Sequence, residues 1–357
     1  MQICKGSVQH FSAFIPGNAF ILEGTDMSEA DKTIILEPGS NEADFGYCPA
    51  CSQKLQPDWD NMELLRCPGC HYTRKEVTVI EPGSIVGHKY RILSYLNEGG
   101  NGSIFLCYPL AAPAERYVLK VLTHSSGTGK KRFRREANIL ASVAQNKRIA
   151  RIMDYWEIGD DTYIVMEYVR GQTLRDCCCS NRFDEYNVLV VAYEVTRALQ
   201  DIWNGFSIIH RDIKPENIMI NQESNLKLLD FGLSKRCDDE ANTTMITMEC
   251  SSLGTPGYMS PEQFSDFKNA DFRSDIYSLG ATLFFLLTGI HASRKATLME
   301  CYSEALKYSP PSPEHFRSRC SEGCMNLIRK MMQKNPEDRH SSYEELVAEI
   351  RALLAKF

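Results

Sequence analysis

Residues 210–217 read His-Arg-Asp-Ile-Lys-Pro-Glu-Asn, and Asp230-Phe231-Gly232 follow a short distance downstream. Asp212 is a candidate proton acceptor. Asn217 and Asp230 offer oxygen atoms of the kind that hold a hard divalent cation such as Mg²⁺. Lys214 places a positive charge two residues from Asp212. A proton acceptor, two metal ligands and a cation are the parts needed to move a phosphoryl group from ATP to a hydroxyl. Either motif alone occurs by chance; both in this order point to that chemistry. Upstream, Leu96-Asn97-Glu98-Gly99-Gly100-Asn101-Gly102-Ser103-Ile104 sits where a strand turns. Glycines there let backbone N–H groups approach phosphate oxygens closely; the bland alternative is a simple hairpin.

The elements that must carry these groups change character along the chain. Val118–Leu122 and Thr162–Tyr168 are apolar, β-rich runs, and a helix is expected near Lys131–Ala144. From Tyr186 the pattern becomes helical, over Tyr186–Trp203, Ser274–Leu287, Glu322–Gln333 and Tyr343–Leu354. A β-rich segment followed by a helical one predicts two lobes with a cleft between them. Composition is that of a soluble globular protein, with 24% charged and 43% hydrophobic residues in 357. A formal net charge of −6 gives no general attraction to nucleic acid or an anionic membrane. The N-terminus lacks the basic start and long apolar core of a signal peptide. The apolar run Ile276–Ile290 is too short to span a bilayer and reads as a buried helix.

Fourteen cysteines are many for this length. Cys48-Pro-Ala-Cys51 and Cys67-Pro-Gly-Cys70 are separated by fifteen residues. Two such knuckles can place four thiolates around one structural Zn²⁺, so residues 46–73 resemble a Cys4 zinc ribbon. His71 is an alternative ligand, but four cysteines already close the site. The charged residues between the pairs are mixed in sign, which favours docking on a protein partner or a neighbouring lobe over nucleic acid. Cys177-Cys178-Cys179 reads as partly buried thiols near a helix start, since adjacent cysteines cannot converge on one ion. Residues 1–45 carry no sustained period, and residues 74–87 are a connector. Thr33–Ser40 and Thr78–Ser84 each read as a short β segment ending in a Pro-Gly turn.

Residues 88 to about 355, about three quarters of the chain, resemble eukaryotic-like (Hanks-type) serine/threonine protein kinases. The resemblance implies an α+β, bilobal protein-kinase fold. A small β-rich N-lobe covers 88–167 and a large helical C-lobe 168–357, with ATP and Mg²⁺ (or Mn²⁺) in the cleft. Lys120, in Tyr-Val-Leu-Lys-Val-Leu, matches the lysine that holds the α- and β-phosphates. Glu136 matches the glutamate whose ion pair positions it. Gly99 and Gly102 match the phosphate loop, with Asn97 in place of its first glycine. Met166-Glu167-Tyr168-Val169 matches the hinge, whose backbone at Glu167 and Val169 would bond adenine. Asp212 would accept the hydroxyl proton, Lys214 would neutralise the transferring phosphate, and Asn217 and Asp230 would hold Mg²⁺. The lysine after Asp212 and Thr255, in Gly-Thr-Pro-Gly-Tyr, fit Ser/Thr specificity. The Thr255 hydroxyl would bridge Asp212 and Lys214.

The same resemblance gives structural roles to Glu262, paired with Arg339, and to Asp275, anchoring the 210–217 loop through backbone N–H groups. Arg211 implies activation by phosphorylation within 233–253. That stretch offers Ser234, Thr243 and Thr244 among others, with Thr247, Ser251 and Ser252 favoured. Lys130–Arg135 is a basic run, read as a solvated helix face or as a dock for such a phosphate. Ser260-Pro261-Glu262-Gln263 resembles bacterial members; with no membrane span seen, a cytoplasmic protein is expected. Thr33, with Leu36 three residues on, resembles a phosphothreonine read by forkhead-associated domains. Two rival readings stand beside an active kinase. One is a pseudokinase scaffold, suggested by Asn97; the other is an adaptor working through the zinc ribbon.

Overall fold

The computed structural model describes residues 56–57, 64–66, 73–75, 80–99, 102–122, 127–158, 161–180, 183–236, 256–267, 269–291, 300, 307, 310–316 and 319–357. Three short strands, β1 (Gln56–Pro57), β2 (Leu64–Arg66) and β3 (Thr73–Lys75), form an antiparallel sheet in that order. Gln56 and Thr73 both lie opposite Arg66.

A larger antiparallel sheet follows. Its first strand, β4 (Ile85–Val86), is introduced by a tight turn in which the Ser84 N–H donates to the Glu81 carbonyl at 3.0 Å. Pro82 and Gly83 occupy the turn's centre, and Gly83 has φ +92°, the left-handed position that a type II turn reserves for glycine. The Pro-Gly turn expected here is therefore present; its counterpart at 38–39 lies outside the described residues. Ile85 pairs with Arg91 and Ile80 packs on the sheet's core, so the sheet starts before residue 88. The remaining strands are β5 (Tyr90–Gly99), β6 (Gly102–Pro109), β7 (Tyr117–Leu122), β8 (Ile152–Ile158) and β9 (Asp161–Glu167). The order is β4-β5-β6-β7-β9-β8, and α1 (Gly127–Ser142) crosses between β7 and β8.

Alternation along β7 divides the lobe's core. Leu119 and Val121 are buried on one face with a stack of Tyr90, Trp156 and Tyr163 rings. Lys120 points the other way, toward α1, whose Phe133 and Ala137 pack on Ile164 of β9. Two register shifts in β5, between Ile92 and Ser94 and between Tyr95 and Asn97, mark bulges of the kind that curl a sheet.

Beyond Glu167 come β10 (Gly171–Thr173), α2 (Leu174–Ser180), α3 (Glu185–Phe206) and β11 (Ile208–Ile209). A 3₁₀ turn at Pro215–Asn217 leads to β12 (Ile218–Asn221), β13 (Leu226–Leu228) and β14 (Lys235–Arg236). Among the described residues, the helices that follow are α4 (Pro261–Asp266), α5 (Arg273–Thr288), α6 (Glu322–Met331) and α7 (Tyr343–Leu354). The α5 residues from Ser274 to Thr288 are all buried. Its hydroxyls are tolerated because Ser278, Thr282 and Thr288 each donate to the carbonyl four residues earlier. Gly280 lets α6 approach closely, since a Cβ there would meet the Met331 Cβ at 2.9 Å. No described helix is long and apolar enough to cross a membrane.

The expected Glu262–Arg339 pair forms. Arg339 Nη1 and Nη2 donate to the two Glu262 oxygens at 2.6 and 2.7 Å, with the arginine side chain fully buried. The same guanidinium donates to the carbonyls of Arg273, Gln333 and Lys334. Removing one partner of a buried, multiply bonded pair leaves charge and carbonyls uncompensated. Arg339→Met is therefore expected to lower unfolding free energy by about 3–5 kcal/mol, read as an earlier urea midpoint at unchanged slope.

Candidate active site

The Lys120 ammonium is 4% exposed and bonds both oxygens of Glu136, at 2.8 and 3.0 Å. Glu136 is held in place because Phe133 and Ala137, on the same turn of α1, pack on the sheet. The ammonium also donates to Asp230 Oδ1 at 3.1 Å, a contact with a residue 110 positions away. Burial works against a charged lysine, but Asp230 and Glu136 outweigh it and hold its proton more tightly than usual. Burial also opposes the Asp230 charge, yet Lys120 prevails and lowers that carboxyl to about 2. Burial and the nearby Asp230 push Glu136 upward, against the pull of Lys120. The three groups form one coupled cluster, in which Asp230 keeps its charge most firmly.

The loop after β11 is fixed from below. Asp275, buried in the first turn of α5, accepts from the backbone N–H of His210 at 2.8 Å and of Arg211 at 2.7 Å. Arg211 and Asp230 take left-handed conformations, with φ +69° and +55°. Such values are uncommon outside glycine and mark local strain that the surroundings must sustain. Above this anchor, Asn217 donates to the Asp212 carbonyl and carboxylate, both at 2.9 Å, and Lys214 Nζ lies 2.8 Å from Asp212 Oδ2. Phe231 is buried edge-on to the His210 ring, and the Leu229 N–H donates to the Asn217 carbonyl at 2.8 Å. The structure thus brings Lys120, Glu136, Asp212, Lys214, Asn217 and Asp230 into two adjoining clusters.

Gly99 and Gly102 are cross-strand partners at the β5–β6 turn. Gly102 has φ +116°, and a Cβ there would lie 2.2 Å from the Val121 carbonyl oxygen, so only glycine fits next to the Lys120 strand. Asn97 lies in β5 opposite Ile104 and needs no left-handed backbone. Glu167 ends β9, where its N–H donates to the Arg151 carbonyl, and Val169 is buried just beyond.

Several contacts escape a reading of the sequence. Gln263 receives the Ser260 N–H at 2.9 Å and donates to the Arg211 carbonyl at 3.1 Å, joining α4 to the 210–217 loop. The Ser-x-x-Gln spacing of a capping box was the available signal. Ser234 is buried and donates to the His210 carbonyl at 3.1 Å, so this hydroxyl of the 233–253 stretch serves the loop's packing. Lys227 reaches Glu167 at 3.0 Å and ties β13 to the end of β9. From the basic run, Arg134 forms a two-pronged pair with Glu157 at 3.0 and 2.9 Å. Arg211 is mostly buried, its guanidinium over the Phe267 ring. Ile104 and Val118 share the Lys120 face, because Ile104 pairs with Lys120 and Val118 lies two residues along the strand. Strand alternation would have marked them.

Thr33, Thr247, Ser251, Ser252 and Thr255 lie outside the described residues, as do Cys48, Cys51, Cys67 and Cys70. Among the described residues no group of three or more His, Cys, Asp or Glu is arranged to hold a metal ion. Cys177 and Cys178 are buried in α2, in keeping with the reading of buried thiols near a helix start.

Residues 90–350 match the protein kinase domain family. The chain is 34% identical over 282 residues to serine/threonine-protein kinase pkn3 of Myxococcus xanthus, covering 76% of this chain and 51% of that protein. It is 32% identical over 273 residues to serine/threonine-protein kinase PrkC of Bacillus subtilis, covering 75% of this chain and 41% of that protein. The aligned region is about half the length of the first relative and less of the second. With the curled antiparallel sheet, the helical lobe and the family match over most of its length, this chain belongs to the protein kinase domain family.

Proposed function

We propose that this chain transfers the γ-phosphoryl group of ATP to Ser or Thr hydroxyls of proteins. The observation that carries this reading is Lys120, bonded at once to Glu136 and Asp230, beside an Asp212 whose carboxylate meets Asn217 and Lys214. Lys120 is placed to hold phosphate oxygens while Glu136 fixes its position. Gly102 and Gly99 leave room for the triphosphate against β7, and the backbone of Glu167 and Val169 receives adenine. The residues fit a divalent ion: Asp230 keeps its charge, and Asn217 adds a carbonyl oxygen. Mg²⁺ or Mn²⁺, when bound, neutralises charge that develops on the phosphate. Asp212 orients the substrate hydroxyl and takes its proton, Lys214 offsets negative charge beside it, and Thr255 bridges the two. Asn97, the residue that favours the pseudokinase scaffold, sits in the strand without backbone strain, which weakens that rival.

Phosphorylation at Thr247, Ser251 or Ser252 would recruit Arg211 and order the intervening segment. The Cys pairs make a structural zinc ribbon for docking or regulation. Zinc, when bound, supplies folding energy to a module with little core. Thr33, once phosphorylated, is a candidate ligand for a forkhead-associated domain, and a cytoplasmic setting suits free thiols.

Asp212→Asn is expected to cut phosphoryl transfer to a generic Ser/Thr peptide by about 10²–10⁴-fold in kcat while nucleotide binding, followed by calorimetry, persists. Wild-type turnover that does not depend on Asp212 would sink the assignment. The purified chain is expected to carry one zinc per molecule by elemental analysis, lost in the double variant Cys67→Ser, Cys70→Ser. Retention of the metal in that variant would place it elsewhere.

A further inference from the structure

Beside the Asp212 loop lies a charged and aromatic cluster to which the phosphoryl-transfer reading gives no role. Arg175, in α2, places Nε 3.8 Å from Glu216 Oε1. Glu216 belongs to the Pro215–Asn217 turn against which α2 packs, and is next in sequence to the Asn217 that bonds Asp212. The Arg175 guanidinium stacks over Phe285 of α5 at 4.8 Å, and its Nη1 is 3.4 Å from His291 Nε2. The His291 ring packs on Phe285 and Tyr258 with centroids 4.6 and 5.7 Å away. Tyr258 is three residues from Thr255 and seats its turn on α5. The cluster therefore joins the two segments that flank an acceptor hydroxyl at Asp212.

We propose that Arg175 reads substrate sequence at this place, selecting a protein chain with an acidic or phosphorylated side chain near its acceptor hydroxyl. This rests on the kinase reading above and deepens it.

Three features favour an acidic over a basic neighbour. The Glu216 carboxylate is the negative group nearest the Asn217–Asp212 contact in sequence, and would by itself attract a basic residue. Its Oε2, however, is buried without a hydrogen-bond partner, and its Oε1 faces Arg175. Arg175 is thus the charge that a basic side chain meets beside that oxygen. The two side chains are exposed alike, 38% for Arg175 and 41% for Glu216, so the pair presents a positive charge as open as its negative one. The guanidinium has five N–H donors, and the Glu216 contact is too long for a hydrogen bond, so donors remain for a carboxylate or phosphate. Stacking on Phe285 and the turn of α2 hold the planar fork in one place, which reduces the ordering cost of forming a two-pronged contact.

The test uses peptides identical except for Glu, Ala or Arg flanking the acceptor Ser, with kcat/KM measured on the full chain. Wild type is expected to prefer Glu to Arg by about fivefold, the size of a solvent-exposed ion pair, with the effect in KM. Arg175→Gln should bring that ratio to about one or below, as the Glu216 charge is no longer offset. Arg175→Lys should restore part of it, and Glu216→Gln should raise it. A structural role alone would lower turnover of all peptides alike and leave the ratio unchanged. A second arm measures binding of the same labelled peptides, with Ala for Ser, by fluorescence anisotropy, and needs no turnover. Equal use of the Glu and Arg peptides, a preference that survives Arg175→Gln, or binding insensitive to the flanking charge overturns the inference. Absence of Asp212-dependent transfer sinks the kinase reading alone, and the binding arm still decides this one.

Discussion

One buried ammonium holds the two lobes in a common geometry. Lys120 is on the sheet, Glu136 on α1 and Asp230 on the loop that follows β13. An unpaired ammonium in this position would carry a desolvation penalty of several kcal/mol, which pairing with the two carboxylates offsets. That pairing reaches outward. It needs α1 seated on β9 through Phe133 and Ala137, and it needs Asp230 in its left-handed conformation.

The strain at Arg211 and Asp230 is sustained by what lies underneath. Left-handed conformations at non-glycine residues cost about 1–2 kcal/mol each. Asp275 meets this with two short bonds to consecutive N–H groups in a dry environment, where charge-assisted bonds are strong. Burial pushes the Asp275 carboxyl upward, and His210 and the two N–H donors hold it down. Gln263 and Ser234 then take up the remaining carbonyls of Arg211 and His210. The fully buried α5 supplies the base for all of this, since a helix packed on every side has little freedom to move.

Contacts that follow from local rules were legible in the sequence. The alternation of β7, the position of α1 and the boundaries of α7 follow from apolar periodicity, while the Lys120–Glu136, Glu262–Arg339 and Asp275 contacts were implied by the family resemblance alone. What stayed hidden was closure between distant segments. No periodicity says that Asp230 will share Lys120 across 110 residues, or that Lys227 will turn toward Glu167. Ser234 looked like one hydroxyl among several in a polar stretch, because burial is decided by the tertiary fold. Arg134 looked like part of a basic face, yet its position opposite β8 gives it Glu157 as a partner. The connector before residue 88 joins the sheet for a similar reason: Gly83 and Ser84 satisfy backbone groups of Ile92, and that partner could not be named without the register.

On the phosphoryl-transfer reading proposed above, charge explains why this arrangement calls for a divalent ion. Two ammonium groups, Lys120 and Lys214, meet three carboxylates, Glu136, Asp212 and Asp230. The balance is one negative charge in a poorly solvated cleft. A triphosphate is itself strongly negative, and bringing it beside such a site without added cations would be repulsive at low effective dielectric. Raising the lysine count would relieve repulsion but would also bind product tightly. A hard divalent cation on oxygen ligands cancels the excess and can leave with the nucleotide. On the proposed reading Asp230 is the group suited to that ion: it keeps its proton off more firmly than Glu136, and its side chain retains partial exposure, at 32%. Glu136, almost fully buried and pushed upward, is suited instead to holding a lysine. Two carboxylates on one ammonium thus take different roles because one faces the cleft and the other faces the core.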